Sequence, residues 1–250
     1  MITLNTHAII PTIFPDKTSQ VWKLTNMFIA SANNVVRWEF ENEAEFIHVA
    51  QLKALLDKTS KDTILELPYL PYARQDKEVG NLTTFALIPF AKLLNSLNFS
   101  KVKVFDPHNV ELSGDLINNL EVEMPCHGCV LDQLHAEPVY PDKGAAKRYC
   151  AESSAIICDK IREPLTGAIT GLSVTGDVKP ISYLIIDDIC DGGRTFIEVA
   201  KALYERGAAE VHLYVSHGIF SKGLDVLRDA GIKRIFTRKG EMPYAVKINE

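Results

Sequence analysis

The segment Tyr183-Leu184-Ile185-Ile186-Asp187-Asp188-Ile189-Cys190-Asp191-Gly192-Gly193-Arg194-Thr195 concentrates more chemistry than any other part of the chain. An apolar, β-type run leads into two adjacent carboxylates, then a glycine turn, then the start of a helical pattern. Backbone N–H groups at such a turn and helix N-terminus form a cradle for an anion. Thr195 can add a hydroxyl to it, and Arg194 a cation. Carboxylates repel phosphate, so Asp187 and Asp188 make sense there if they bind sugar hydroxyls or a divalent metal that also touches phosphate. The same string would serve an Asp-capped helix with solvated acids, but its order follows the logic of phosphate sites at strand ends.

Three further apolar runs open into charged loops. Leu67 leads to Pro68-Tyr69-Leu70-Pro71-Tyr72-Ala73-Arg74-Gln75-Asp76-Lys77, Phe105 to Asp106-Pro107-His108-Asn109, and Tyr140 to Pro141-Asp142-Lys143-Gly144-Ala145. The elements that must position these loops are strands at Thr63–Leu67, Val102–Phe105, Pro138–Tyr140, Tyr183–Ile186, Val211–Val215 and Arg234–Phe236. Between them, apolar residues recur at helical spacing over Phe46–Leu56, Phe90–Leu97, Phe196–Tyr204 and Leu224–Ala230. Short strands alternating with helices predict βαβ units and parallel sheets. Ligands of such sheets bind at the carboxyl ends of the strands. A junction near residues 120–127 gives two α/β halves, 1–122 and 123–250.

The 250 residues are 46% hydrophobic and 24% charged, with a net charge of −5, which provides a core and gives no sign of a nucleic-acid-binding surface. No apolar run approaches the roughly 18 residues that cross a bilayer, so no membrane partner is expected. The five cysteines are an odd set scattered through one half of the chain, as free thiols in a reducing cytoplasm would be. Cys126-His127-Gly128-Cys129 has zinc-like spacing but lacks a second pair, and it reads better as an interdomain loop.

The Asp187–Thr195 string resembles the ribose-phosphate signature shared by phosphoribosyltransferases and ribose-phosphate pyrophosphokinases. Three other segments favour the pyrophosphokinases. Tyr72-Ala73-Arg74-Gln75-Asp76-Lys77 is similar to their Tyr-Ala-Arg-Gln-Asp-Arg ATP loop, Pro141–Arg148 to their pyrophosphate loop, and Ser216-His217-Gly218-Ile219-Phe220-Ser221 to their Thr-His-Pro-Ile-Phe segment. The resemblance implies two tandem type I phosphoribosyltransferase-like halves, each a parallel sheet flanked by helices. It also implies a Mg²⁺-dependent transfer of the β,γ-pyrophosphoryl group of ATP to the anomeric hydroxyl of ribose 5-phosphate, in a homo-oligomer of two or more chains.

Carried over by motif, the resemblance places ATP at Asp16, Arg74, Gln75, Asp76, Lys77 and His108. The sugar phosphate falls at Asp187, Asp188, Asp191, Gly192, Gly193, Arg194 and Thr195, and pyrophosphate at Asp142, Lys143, Gly144 and Ala145. Lys160 and Arg162 match the basic pair of a mobile catalytic loop, with Thr166–Gly171 as its lid. His108 and Asp142 match the magnesium ligands. On chemistry alone His108 reads as a structural histidine, because magnesium prefers oxygen.

The chain departs from the family at several points. Asp191-Gly192-Gly193-Arg194-Thr195 replaces Asp-Thr-Gly-Gly-Thr, and the extra cation suits a larger anion. ADP-ribose, an acceptor attributed to some short viral relatives, therefore stands beside ribose 5-phosphate. Phe14-Pro15-Asp16-Lys17-Thr18 lacks an acidic residue of the loop that reaches a neighbouring subunit's ATP, and Lys77 replaces an arginine. The family's opening strand and helix and its final helix have no counterpart in the string, which bears on oligomer contacts and phosphate/ADP regulation. Two rivals are a phosphoribosyltransferase, which needs no ATP loop, and a non-catalytic regulatory homologue.

Overall fold

Runs rich in Val, Ile, Leu and Phe pair into two separate sheets, each built around parallel strands. The computed structural model describes residues 1–21, 24, 33–78, 83–152, 155–162 and 169–243, with backbone alone for 160–162 and 169–170. It divides into two units, Met1–Met124 and Pro125–Glu250. Among the described residues no helix is long and apolar enough to cross a membrane.

The first unit runs β1 (Ile2–Leu4), β2 (His7–Ala8), β3 (Thr12–Ile13), β4 (Ser19–Gln20), β5 (Asn34–Trp38), α1 (Glu45–Leu56), β6 (Thr63–Glu66), α2 (Leu87–Ser96), β7 (Lys101–Phe105), α3 (Val110–Leu116) and β8 (Leu120–Glu123). Strands β5, β6, β7 and β8 are parallel neighbours, each linked to the next through a helix. Alternation along them buries Val36, Trp38, Leu65, Val102 and Val104 against Val49, Leu52 and Leu56 of α1 and Leu94 of α2. The outer strand β1 runs antiparallel to both β5 and β2. Asn5 and Thr6 join β1 to β2 with φ of 46° and 75°, the left-handed pair of a tight hairpin.

The second unit runs α4 (Gly128–Leu134), β9 (Ala136–Tyr140), α5 (Lys143–Arg148), β10 (Ile156–Arg162), β11 (Ile169–Val174), β12 (Ser182–Cys190), α6 (Arg194–Glu205), β13 (Glu210–Gly218), α7 (Asp225–Asp229), β14 (Ile232–Thr237) and β15 (Gly240–Glu241). Its sheet order is β11-β10-β9-β12-β13-β14-β15. The inner strands β10, β9, β12, β13 and β14 are parallel, and the edges β11 and β15 are antiparallel. The sheets are thus mixed at their margins rather than parallel throughout, because edge strands can return by short hairpins.

Two expectations are corrected here. The central strand does not end at Ile186: β12 continues through Asp187 and Asp188 to Cys190, held in register against Val215, His217 and Gly218 of β13. Pairing with β13 keeps the backbone extended through Cys190 even though polar residues interrupt the apolar run and β9 pairs with β12 only as far as Ile185. Lys160 and Arg162 likewise lie on a strand, with Lys160 opposite Leu172 and Arg162 opposite Ile169. The remainder of the expected lid, 166–168, and the tail 244–250 lie outside the described residues.

One carboxylate organises the start of the first unit. Glu45, only 7% exposed, accepts from the Trp38 indole N–H at 2.8 Å, the Glu41 N–H at 2.8 Å and the Met1 ammonium at 2.7 Å. Burial pushes its carboxyl up, but these donors outweigh burial and hold it below the usual glutamate range. A depressed folded pKa contributes stability above the ordinary glutamate value and loses it as pH falls through the folded one. Glu45→Gln is therefore expected to cost about 1–3 kcal/mol at pH 7. In urea melts that deficit should close as pH drops below the glutamate range; a pH-independent deficit would contradict the assignment.

Candidate active site

Strand β12 delivers the central feature. Asp188 is 3% exposed and receives Arg148 Nη1 on Oδ1 at 2.8 Å, with the arginine side chain itself 11% exposed. Asp187, half-buried, accepts the Asp188 backbone N–H on Oδ1 at 2.9 Å. Desolvation first, then the Asp188 carboxylate and more distantly that of Asp142, hold the Asp187 carboxyl well above the ordinary range. The thiol of Cys190 is pushed up to about 12, by burial and then by Asp191 and Asp187, so it stays protonated.

Beyond Cys190 the chain turns through Asp191 and Gly192 into Gly193, the N-cap of α6, with φ 79°. That position needs glycine twice over: the backbone is left-handed, and a Cβ would meet Leu227 Cδ2 at 2.8 Å. Phe196, Val199, Ala200 and Leu203 anchor α6 in the core, so its first turn is presented rigidly at the strand end. The leading N–H groups of a helix have no intrahelical partners, which suits this turn to an anion. Arg194 does not fold over it as a bound cation: its Nε donates to Glu198 Oε1 at 2.8 Å and the side chain is 81% exposed.

At the end of β9, Asp142 caps α5, its Oδ1 accepting the Ala145 N–H at 2.9 Å. Gly144 is explained by that cap, since a Cβ there would sit 3.0 Å from Asp142 Oδ1. Ala145 and Ala146 bury against Tyr140, Leu184 and Ile186, which fixes α5 beside β12. Lys143 Nζ pairs with Asp159 Oδ2 of β10 at 2.6 Å, and this bond raises the lysine's pKa. The structure therefore brings Asp142, Asp187, Asp188 and the Asp191–Thr195 loop to one strand edge of the second unit. Lys143 is tied to the β10 ribbon that carries Lys160 and Arg162.

The remaining candidates lie in the first unit. Tyr72 takes φ 64° and its hydroxyl donates to Glu43 Oε1 at 2.6 Å. Burial, then that bond and charge, push the phenol up to about 12. The turn leaves Arg74, Gln75 and Lys77 exposed and Asp76 half-buried after β6. His108 is half-buried after β7, just before Asn109, which caps α3 through the Leu112 N–H at 3.1 Å. Asp16 sits in the turn between β3 and β4, where Thr18 donates to its Oδ1 through both hydroxyl (2.7 Å) and amide (3.0 Å), which lowers its pKa.

Arg148 is the contributor that sequence reading left without a role. It was visible only as one more basic residue at the end of Pro141–Arg148, and nothing in one dimension pairs it with Asp188. Cys126 and Cys129 are exposed, with sulfurs 3.3 Å apart at the start of α4. Among the described residues no three His, Cys, Asp or Glu side chains converge as a metal cage.

A parallel sheet that ends its central strand in paired carboxylates, a glycine turn and a helix start defines an α/β phosphate-site protein. Comparison with known proteins makes this specific: the phosphoribosyl transferase domain profile matches residues 111–247, and the chain belongs to that family. Its relatives include proteins named ribose-phosphate pyrophosphokinase. One from Maricaulis maris is 30% identical over 182 residues, covering 68% of this chain and 58% of that protein. One from Granulibacter bethesdensis is 31% identical over 183 residues (69% and 59%). The chain thus spans under three-fifths of the length of these relatives. The crystal structure of phosphoribosylpyrophosphate synthetase from Mycobacterium smegmatis shares the fold, with a TM-score of 0.69 over 92% of this chain and 79% of that one at 19% identity.

Two stability outcomes follow from the carboxylate pair. Arg148→Met strands a buried Asp188 charge and should cost about 3–5 kcal/mol; adding Asp188→Asn should recover most of it, and equal losses in single and double variants would refute the pairing. Asp187 has the opposite sign. A raised folded pKa means the folded state holds an extra proton between the ordinary aspartate value and the raised one, so stability falls as pH climbs through that window. Asp187→Asn should therefore raise the Tm at pH 8, by about 2–4 °C for each kcal/mol relieved, and lose this advantage in acid. An unchanged Tm at pH 8 would refute it.

Proposed function

We propose that the chain transfers the β,γ-pyrophosphoryl group of ATP to the anomeric hydroxyl of ribose 5-phosphate, releasing AMP and phosphoribosyl pyrophosphate. The observation that carries this reading is the Asp187–Thr195 segment: two carboxylates at a strand end for sugar hydroxyls, followed at once by a glycine turn and helix start for a phosphate. The kinship with ribose-phosphate pyrophosphokinases supports it, and so does the Tyr72–Lys77 segment, which a phosphoribosyltransferase would not need.

In this reading the sugar's anomeric oxygen attacks the β-phosphorus of ATP. The bond from that phosphorus to the α,β-bridging oxygen breaks, AMP leaves with the bridging oxygen, and the hydroxyl proton is released. Phosphoryl-type transfer asks for alignment and charge neutralisation more than covalent help. Arg74, Gln75, Asp76, Lys77 and Asp16 hold the nucleotide, Asp187, Asp188 and Asp191 orient the ribose, and the Gly192–Thr195 amides seat its phosphate. Lys143, Gly144 and Ala145 line the pyrophosphate seat, while Lys160 and Arg162 offset charge on the transferring group.

The donor set suits magnesium, which takes one or two carboxylates plus substrate phosphates rather than a full protein cage. Asp142 and Asp187 stand at the same strand edge, so the carboxylates that could share such an ion come from neighbouring strands of one sheet. Within the second unit, Asp142 is the carboxylate that would hold it. When bound it neutralises phosphate charge. The protein acts in this reading as a homo-oligomer in the cytoplasm. ADP-ribose, the second acceptor that the extra cation of the loop suggests, gains no support from the geometry, because Arg194 is spent on Glu198 and is 81% exposed.

The test is to incubate the chain with MgATP and either ribose 5-phosphate or ADP-ribose, following AMP and the phosphorus spectrum of the product. AMP should form in step with a sugar pyrophosphate, and Lys160→Ala should cut turnover about 10²–10³-fold. Pyrophosphate release that needs a nucleobase and no ATP would replace this reading with a phosphoribosyltransferase. Nucleotide and sugar binding without turnover would replace it with a regulatory homologue.

A further inference from the structure

The segment after β13, which matches a family motif only as far as Ser221, returns to the glycine loop. The N–H groups of Ile219 and Phe220 both donate to the Cys190 carbonyl, at 2.8 and 3.2 Å, tying this segment to the last residue of β12. Phe220 has φ 49°, a left-handed backbone that a bulky side chain adopts only when its surroundings enforce it. Its ring lies so close over Gly218 that a Cβ there would fall 2.0 Å from it. Gly223, at φ 74°, closes the turn by donating its N–H to the Phe220 carbonyl at 2.8 Å.

This turn lays the stem of Lys222 across Gly192. A Cβ on Gly192 would meet Lys222 Cε at 3.5 Å, Cδ at 3.6 Å and Cγ at 3.9 Å. Three cations near this edge whose side chains are described are engaged: Arg194 with Glu198, Lys143 with Asp159, Arg148 with Asp188. Lys222 makes no hydrogen bond or ion pair with any described residue. A strained turn, anchored to the end of β12, thus lays the stem of an exposed lysine along the glycine loop and leaves its ammonium within a side chain's reach of the loop. We infer that Lys222 contacts the phosphate seated in the Asp191–Thr195 loop and sets the preference for a phosphorylated sugar. The inference rests on reading that loop as the sugar-phosphate seat.

The alternative is that Lys222 merely packs its stem on Gly192, in which case methionine would serve as well. The test uses the full chain, with ribose 5-phosphate affinity measured by calorimetry without ATP, and KM and kcat measured with MgATP. Lys222→Met should weaken ribose 5-phosphate binding and raise its KM about tenfold, with kcat and the KM for ATP within about twofold. Lys222→Arg should restore most of the affinity. Wild-type affinity in Lys222→Met, or equal losses in the Met and Arg variants, would overturn the inference and leave the proposed reaction untouched. Binding of ribose 5-phosphate without turnover would remove the pyrophosphokinase reading alone. A wild-type chain that binds no ribose 5-phosphate would overturn both.

Discussion

Two neighbouring carboxylates at the inner end of a buried strand repel each other and are poorly solvated, and the second unit is arranged around that cost. Asp188 is neutralised by Arg148, which can reach it because Ala145 and Ala146 pack α5 onto the flank of β12. Asp187 meets no such cation among the described residues and keeps an elevated carboxyl, raised further by Asp142. One acid is thus held in place by a cation, while its neighbour meets none among the described residues. Such unrelieved charge destabilises a fold, and sites of this kind hold it because function requires it.

Rigid elements convert that charge into a defined edge. The left-handed Gly193 locked against Leu227, the Asp142 cap crowded by position 144, and the pinned turn after Gly218 each leave the backbone little choice. Loops placed in this way on strand ends keep their amides and side chains oriented before a ligand arrives, so little ordering cost remains for binding. The first unit uses the same device on a smaller scale. Tyr72, left-handed and hydrogen-bonded to Glu43, turns the Tyr72–Lys77 segment so that Arg74 and Lys77 stay exposed after β6.

The βαβ alternation was legible in the string because inward-facing aliphatics at period two and helical faces at three to four leave a strong imprint. The helices at Glu45–Leu56 and Arg194–Glu205 lie where their apolar spacing placed them. Antiparallel edge strands were not legible: β1 and β2 carry only a few residues each, too short for periodicity, and depend on the left-handed Asn5–Thr6 turn. The continuation of β12 through Asp187 was hidden for a related reason, since polar residues in a strand look like a loop until a partner strand is found.

By itself the sequence determined the family and the α/β class, because these rest on local patterns: glycines after carboxylates, motif order, the spacing of apolar residues. Only the tertiary structure decided how the charges are spent. It gave Arg148 to Asp188, turned Arg194 toward Glu198, joined Lys143 to Asp159 and laid Lys222 over Gly192. Those pairings join residues through neighbouring strands and turns, and Coulomb energy depends on separation in space, which the order of residues along a chain does not record.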